Sequence, residues 1–189
     1  MRYDSDEMER QAILATAARM CAAARTAPKA KGVDNILTMV LTGEEKKALA
    51  EKMREVAATG NPAVQFFLRD ADNVDTAQAL VLIGAKPARA GLTVCGFCGF
   101  DSCASADASG ARCAFNMIDL GIAVGSAVSV AADDRVDSRV LYSAGKAAQL
   151  MQYEDFDVIW LAIPIGWFLA DVFGYGVYFR LRRGRGKAV

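Results

Sequence analysis

Apolar residues return every three or four positions between Asp4 and Arg25, at Ile13, Ala17, Met20, Cys21 and Ala24. That spacing predicts an amphipathic helix with one buried stripe, closed by Pro28, whose ring cannot continue it. A second helical stripe runs through Leu49, Met53 and Val56. Thr42 and Glu45 stand at capping-box spacing before it, and Gly60 and Pro62 end it. Two short apolar runs, "NILTMVL" (Asn35 to Leu41) and "ALVLIGA" (Ala79 to Ala85), have the length and bounding turns of buried strands. Ala63 to Leu68 fits a short helix and a strand equally well. From Ala111 to Ala131 small and apolar residues predict one long helix, "SRVLYSAGKAAQLM" a strand turning into a helix, and "FDVIWLAIPI" a last buried strand. Helices alternate loosely with strands, which predicts an α+β fold, a mixed β-sheet covered by helices. A chain of 189 residues suits a single domain, 1–189. Within it lie a cysteine-rich segment, 95–113, and an apolar C-terminal arm, 166–189.

Charge changes the picture by exclusion. The chain carries 22 basic and 22 acidic residues, which removes any general electrostatic argument for nucleic acid. Its start, "MRYDSDEMERQ", is acidic and unlike a secretory signal, so a cytoplasmic protein is expected. In a reducing compartment, clustered cysteines read as metal ligands or redox groups before disulfides. There is no histidine. Ser-His-Asp and Cys-His pairs and mixed Cys/His zinc sites are therefore excluded, and proton transfer would fall to a carboxylate, Lys, Tyr, Cys or a cofactor. The sequence assigns no catalytic residue.

Four of the five cysteines lie in "CGFCGFDSCASADASGARC", spaced C-x2-C-x4-C-x9-C through Cys95, Cys98, Cys103 and Cys113. Two cysteines separated by two residues can face one metal, and Gly96 and Gly99 allow the turn between them. Cys113 falls near the start of the long helix, where partial positive charge favours a thiolate. Structural zinc usually takes two knuckles of two cysteines, whereas iron–sulfur clusters tolerate three ligands close together and a fourth apart. Phe97, Phe100 and Phe115 would keep water from a cluster. The spacing favours iron–sulfur, with zinc as the alternative metal. Cys21 reads as a small buried hydrophobe.

"CGFCGFDSC" resembles the CGxCGxxxC signature of bacterial four-iron ferredoxin domains. With "FFLRDADNVDTAQALVLIGAK", "FNMIDLGIAVGSAVS" and "RVLYSAGKAA", the chain resembles a family of prokaryotic proteins described as ferredoxin-domain-containing. That resemblance implies a cluster, four-iron rather than two-iron, held by Cys95, Cys98, Cys103 and Cys113. A second likeness is to the nitroreductase family. "AARTAPKAKG" is similar to that family's early flavin-binding segment, and "DLGIAVGSA" to a later glycine-containing helix. It implies a nitroreductase-like fold, usually dimeric, with FMN at the subunit interface. Arg25, Lys29 and Lys31 are then the candidate cofactor-binding residues. The same cations just past a helix C-terminus also read as a solvated cap of that helix. Together these readings point to an iron–sulfur redox protein, an electron carrier or an FMN-dependent oxidoreductase. The alternative is a zinc-binding module whose apolar arm meets a partner or a membrane.

Several weaker signals point elsewhere. "RDADNVD" fails as a calcium loop and reads as a turn. Gly121 and Gly125 predict close helix packing. Ser143 to Lys146 lacks the full phosphate-loop pattern. Val158 to Phe179 is long enough to span a bilayer, but Asp171, Pro164 and three glycines interrupt it. A buried strand followed by a dimer arm is the preferred reading, and a homodimer with no membrane segment is expected.

Overall fold

The computed structural model describes residues 2–153 and 159–166. Asp4 caps the first helix, α1 (Ser5–Thr26), by accepting the Glu7 amide at 2.9 Å, and Asp6 and Glu7 place negative charge on its positive end. Strand β1 (Ile36–Leu41) follows, then the helix pair α2 (Gly43–Ala57) and α3 (Phe66–Thr76), and then β2 (Ala79–Ala85). A short helix α4 (Cys103–Ala108) leads to the long α5 (Ala114–Asp133), α6 (Tyr142–Leu150) and the last strand β3 (Ile159–Ile165). Two single-turn 3-10 helices, Ala30–Gly32 and Pro62–Val64, complete the described elements.

The three strands form one sheet in the order β1-β2-β3, and both pairings are antiparallel. The fold is the expected α+β sheet covered by helices, but among the described residues the sheet is antiparallel rather than mixed. The reason lies in the connections. A single crossover helix returns the chain to the starting end of a strand and gives a parallel pair. Here a helix pair separates β1 from β2, so the chain re-enters at the end it left.

Strand β2 is buried at every position. Its alternate residues serve two cores. Ala79, Val81, Ile83 and Ala85 meet α1 and α5 on one face, where Ala17, Met20, Ala24, Ala123 and Ala127 pack with no exposure. Leu80 and Leu82 meet α2, α3 and α6 on the other, against Leu49, Met53, Phe67, Val74 and Ala144. Strand β1, an edge strand, is fully buried only at Ile36 and Leu41. Among the described residues β3 is the other end of the sheet, where Pro164 costs no interior ladder bond. Leu141 pairs with Ala162 as an isolated bridge, so the expected strand before α6 is reduced to single contacts.

Several local expectations change. Thr42 precedes α2, but its side chain makes no capping bond; Glu45 instead accepts from the Tyr153 hydroxyl at 3.2 Å. Gly43, at φ +52°, turns the chain into the helix. "RDADNVD" is helix, not turn, because its partners are tertiary. Asp70 accepts from the buried Ser143 hydroxyl at 2.6 Å, Arg54 of α2 reaches Asp72 and Asp75, and the buried Lys46 amine donates to the Val74 and Asp75 carbonyls at the end of α3. Gly121 and Gly125 face solvent, and Ala123, Ala127 and Ala131 make the close packing of α5. The first seven residues of the candidate membrane segment that are described, Ile159–Ile165, are sheet; most of the arm, residues 167–189, lies outside the described residues. One described helix, α5, is long and apolar enough to cross a membrane, and its inner face packs on α1 and the sheet.

The glycine that does pack closely is Gly145 of α6. A Cβ there would stand 2.0 Å from the Trp160 carbonyl oxygen of β3. Gly145→Ala is therefore expected to cost about 1–3 kcal/mol in urea unfolding, because backbone cannot step aside. At Gly125 an added methyl meets nothing within 4 Å. Gly125→Ala should be neutral or stabilising by up to about 1 kcal/mol.

Candidate redox site

Beyond β2 the chain runs without regular structure until α4, then reaches α5 at Cys113. Gly96 and Gly99 take φ of +69° and +81°, and the Gly99 amide donates to the Gly96 carbonyl at 2.9 Å. This is the tight turn that the paired glycines predict, and it carries Cys98 back toward Cys95. Ser102 caps α4 through a reciprocal pair with Ser105, which fixes Cys103 as the first residue of that helix. Cys113 is the N-cap residue of α5.

All four cysteines, Cys95, Cys98, Cys103 and Cys113, line one small cavity, and all are free thiols. Phe97, Phe100 and Phe115 line it too, with Phe97 and Phe115 in contact at 5.4 Å between ring centroids. The thiols share this wall without converging: among the described residues no group of three or more Cys, Asp or Glu is gathered tightly enough to hold a metal ion. Cys113 is buried, and burial alone would push its thiol up. The backbone amides of Ala90, Asn116 and Phe115, with the Arg89 guanidinium, outweigh that and hold it below the ordinary thiol value. No conventional side-chain cap closes this helix start, so the amide dipoles act on the large sulfur. Cys21 stands apart, packed with the α1–α5 core beside Thr38, and burial pushes its thiol up.

The cations of "ARTAPKAKG" divide between two jobs. Lys29 is almost wholly buried, and its amine donates to the carbonyls of Ala24, Arg25 and Ala27 at 2.6–3.0 Å. It caps the C-terminus of α1, and no ligand need be invoked for it. Arg25 pairs with Asp34, whose carboxyl burial would raise but which Arg25, the Ile36 amide and Lys29 together hold below the usual range. Lys31, at φ +60°, donates to the Ala90 carbonyl at 3.0 Å and lines a cleft of about 140 Å³ with Asn35, Arg89, Asn116 and Asp119.

Three of those residues escape a reading of the sequence. Asp119 is buried and accepts the Ala30 amide at 2.9 Å, anchoring the turn that carries Lys31. Arg89 donates from Nε and Nη2 to Asp107 and from Nη2 to the Ala111 carbonyl, tying the end of β2 to α4. Asn116 lies in the first turn of α5. The available signal is that Asn116 and Asp119 are polar, three apart, on the buried side of an otherwise apolar helix.

A family model described as "Uncharacterized protein containing a ferredoxin domain" matches residues 109–173, which include Cys113 but not the other three cysteines. An uncharacterized protein of Archaeoglobus fulgidus is 40% identical over 173 residues, covering 87% of this chain and 92% of that one. The chain belongs to this ferredoxin-domain family. Its fold is nitroreductase-like. The FMN and NADPH-dependent nitroreductase NfnB of Sphigopyxis sp. strain HMH superposes with a TM-score of 0.53 at 13% identity, over 82% of this chain and 78% of that one. A nitroreductase family protein of Clostridium novyi NT gives 0.53 at 16% identity, over 88% and 76%. NfrA1 of B. megaterium gives 0.51 at 11% identity, and this family member spans 57% of its length. At such identities the likeness is one of fold.

The two lysines separate structure from binding. Lys29→Met removes three hydrogen bonds to helix-end carbonyls and is expected to lower stability by about 1–3 kcal/mol. Lys31→Ala, at an exposed position, removes a single bond, to the Ala90 carbonyl, and should cost less, about 1 kcal/mol or under.

Proposed function

We propose that this family member is an iron–sulfur redox protein whose cluster is held by Cys95, Cys98, Cys103 and Cys113. One observation carries the reading: four free thiols, from one tight turn and two helix starts, line the same phenylalanine-walled cavity. Binding of metal and ordering of such a loop are coupled, so the four sulfurs are expected to converge with the metal. The donor set is all thiolate, which suits an iron–sulfur cluster, and the lowered Cys113 thiol suits its role as the distant fourth ligand. A cluster there would pass single electrons, and this chain's residues set its burial and the amide dipoles around it. Family membership and the nitroreductase-like fold support redox chemistry over a purely structural metal.

FMN is the second cofactor that this reading includes. With Lys29 committed to α1, Arg25 and Lys31 are what remains of the three candidate cations for a phosphate, and Lys31 shares its cleft with Arg89 and the amides of Asn35 and Asn116. A cleft of about 140 Å³ is smaller than ordinary cofactor sites, so one chain would hold only part of the flavin and a second copy would complete the site.

Cysteine substitution tests the first part. Cys98→Ser in anaerobically reconstituted protein should lose most bound iron, while Cys21→Ser should retain it. Loss of iron in Cys21→Ser with retention in Cys113→Ser would overturn the ligand assignment. For the flavin, titration should show Lys31→Ala and Arg25→Ala binding FMN at least tenfold more weakly than wild type, about 1.4 kcal/mol. Absence of FMN binding by the cluster-containing protein would remove the flavin from the account.

A further inference from the structure

Helix α5 is apolar enough to cross a membrane, yet only 39% of its most apolar stretch is buried in the protein. Its inner face takes the sheet and α1, and its outer face is an exposed ridge of Ile118, Ile122, Gly125 and Ser129 at helical spacing. Asp119, the one charge before the last position of the helix, is buried. Helix α1 runs antiparallel beside it, since Thr16 reaches Asp134 at the end of α5 and the Ala30 amide reaches Asp119 near its start. The outer ridge of α1 is Ala15, Ala18 and Ala22, all exposed. Arg19, which reaches from α1 toward α5, is paired with Asp134. The two helices thus present one face of small and apolar side chains, where a surface helix ordinarily carries charged and polar ones.

The size and chemistry of this face select its occupant. Helices of 22 and 20 residues about 10 Å apart give a footprint of about 600 Å², so two such faces reach the roughly 1,200 Å² at which stable interfaces begin. Alanine, glycine and serine offer a bilayer little to insert, but they let another backbone come close. A second copy turned about a two-fold axis brings the same uncharged face and buries no unpaired charge. The cleft of Lys31, Asn116 and Asp119 lies at one end of the face, where α1 ends and α5 begins. We propose that two copies of this chain join through the outer faces of α1 and α5, with α5 crossing its counterpart near Gly125, and that the second copy walls this cleft. The joining face stands without FMN; the walling of the cleft rests on the flavin reading above.

Sedimentation equilibrium of the full chain tests this. The wild type should be a dimer at about 10 μM. Gly125→Glu and Ala18→Glu should each raise the dimer dissociation constant at least tenfold, with helix content by circular dichroism unchanged, because Gly125 has open space around it and Ala18 is exposed. Leu150→Glu, at an exposed apolar position of α6, should leave the dimer intact. A wild-type monomer at about 100 μM overturns the proposal, as does recovery of the chain only with membranes. So does a dimer that survives either glutamate on α1 or α5, or one that Leu150→Glu splits. FMN titration of the same samples keeps the two readings apart. A dimer that Gly125→Glu splits but that binds no FMN supports the joining face and removes the flavin. FMN binding unchanged in the Gly125→Glu monomer overturns the walling of the cleft.

Discussion

Strand β2 is buried along its whole length, so its alternating side chains demand apolar cover on both faces at once. Everything else follows from meeting that demand. Helices α1 and α5 cover one face with small residues that let them lie close together, and α2, α3 and α6 cover the other. Because α5 must lie against β2, its first residue is held near that strand's exit. The segment between Ala85 and Cys113 therefore closes on itself as a loop with fixed ends. Four cysteines on such a loop meet at one cavity without any disulfide to gather them.

Polar groups on the buried side of α5 make sense in that frame. Asp119 interrupts an apolar stripe at a cost to stability that a partner must offset. Asp119 has one, the Ala30 amide, and through it positions Lys31. Asn116, in the first turn of the same helix, lines the two clefts that Arg89 also lines. The start of α5 thus brings three environments together: a thiol cavity, a small polar cleft and a larger one.

Much of this was legible in the sequence wherever a local cause decides the structure. The run "ALVLIGA" marks β2 to the residue, Asp4 begins α1, and Cys113 stands where the long helix starts. The unusual backbone angles of Gly96 and Gly99 were foreseeable from the spacing of their cysteines. Legibility ended where the partner is remote. "RDADNVD" has the composition of a turn, but Arg54 and Ser143, distant in sequence, make it helix. Likewise Lys29 and Lys31 look equivalent, and only the fold assigns one to a helix end and the other to a cleft. Spacing could not show that Gly121 and Gly125 face outward while Gly145 meets a backbone carbonyl.

Four cysteines acting as one site would set the chemistry of this protein. The most direct test is the metal and acid-labile sulfide content of anaerobically purified protein, read with its absorption spectrum. A four-iron cluster predicts about four irons and four sulfides per chain, in a brown protein that bleaches on reduction. A colourless protein carrying one zinc per chain, or no metal at all, would contradict it.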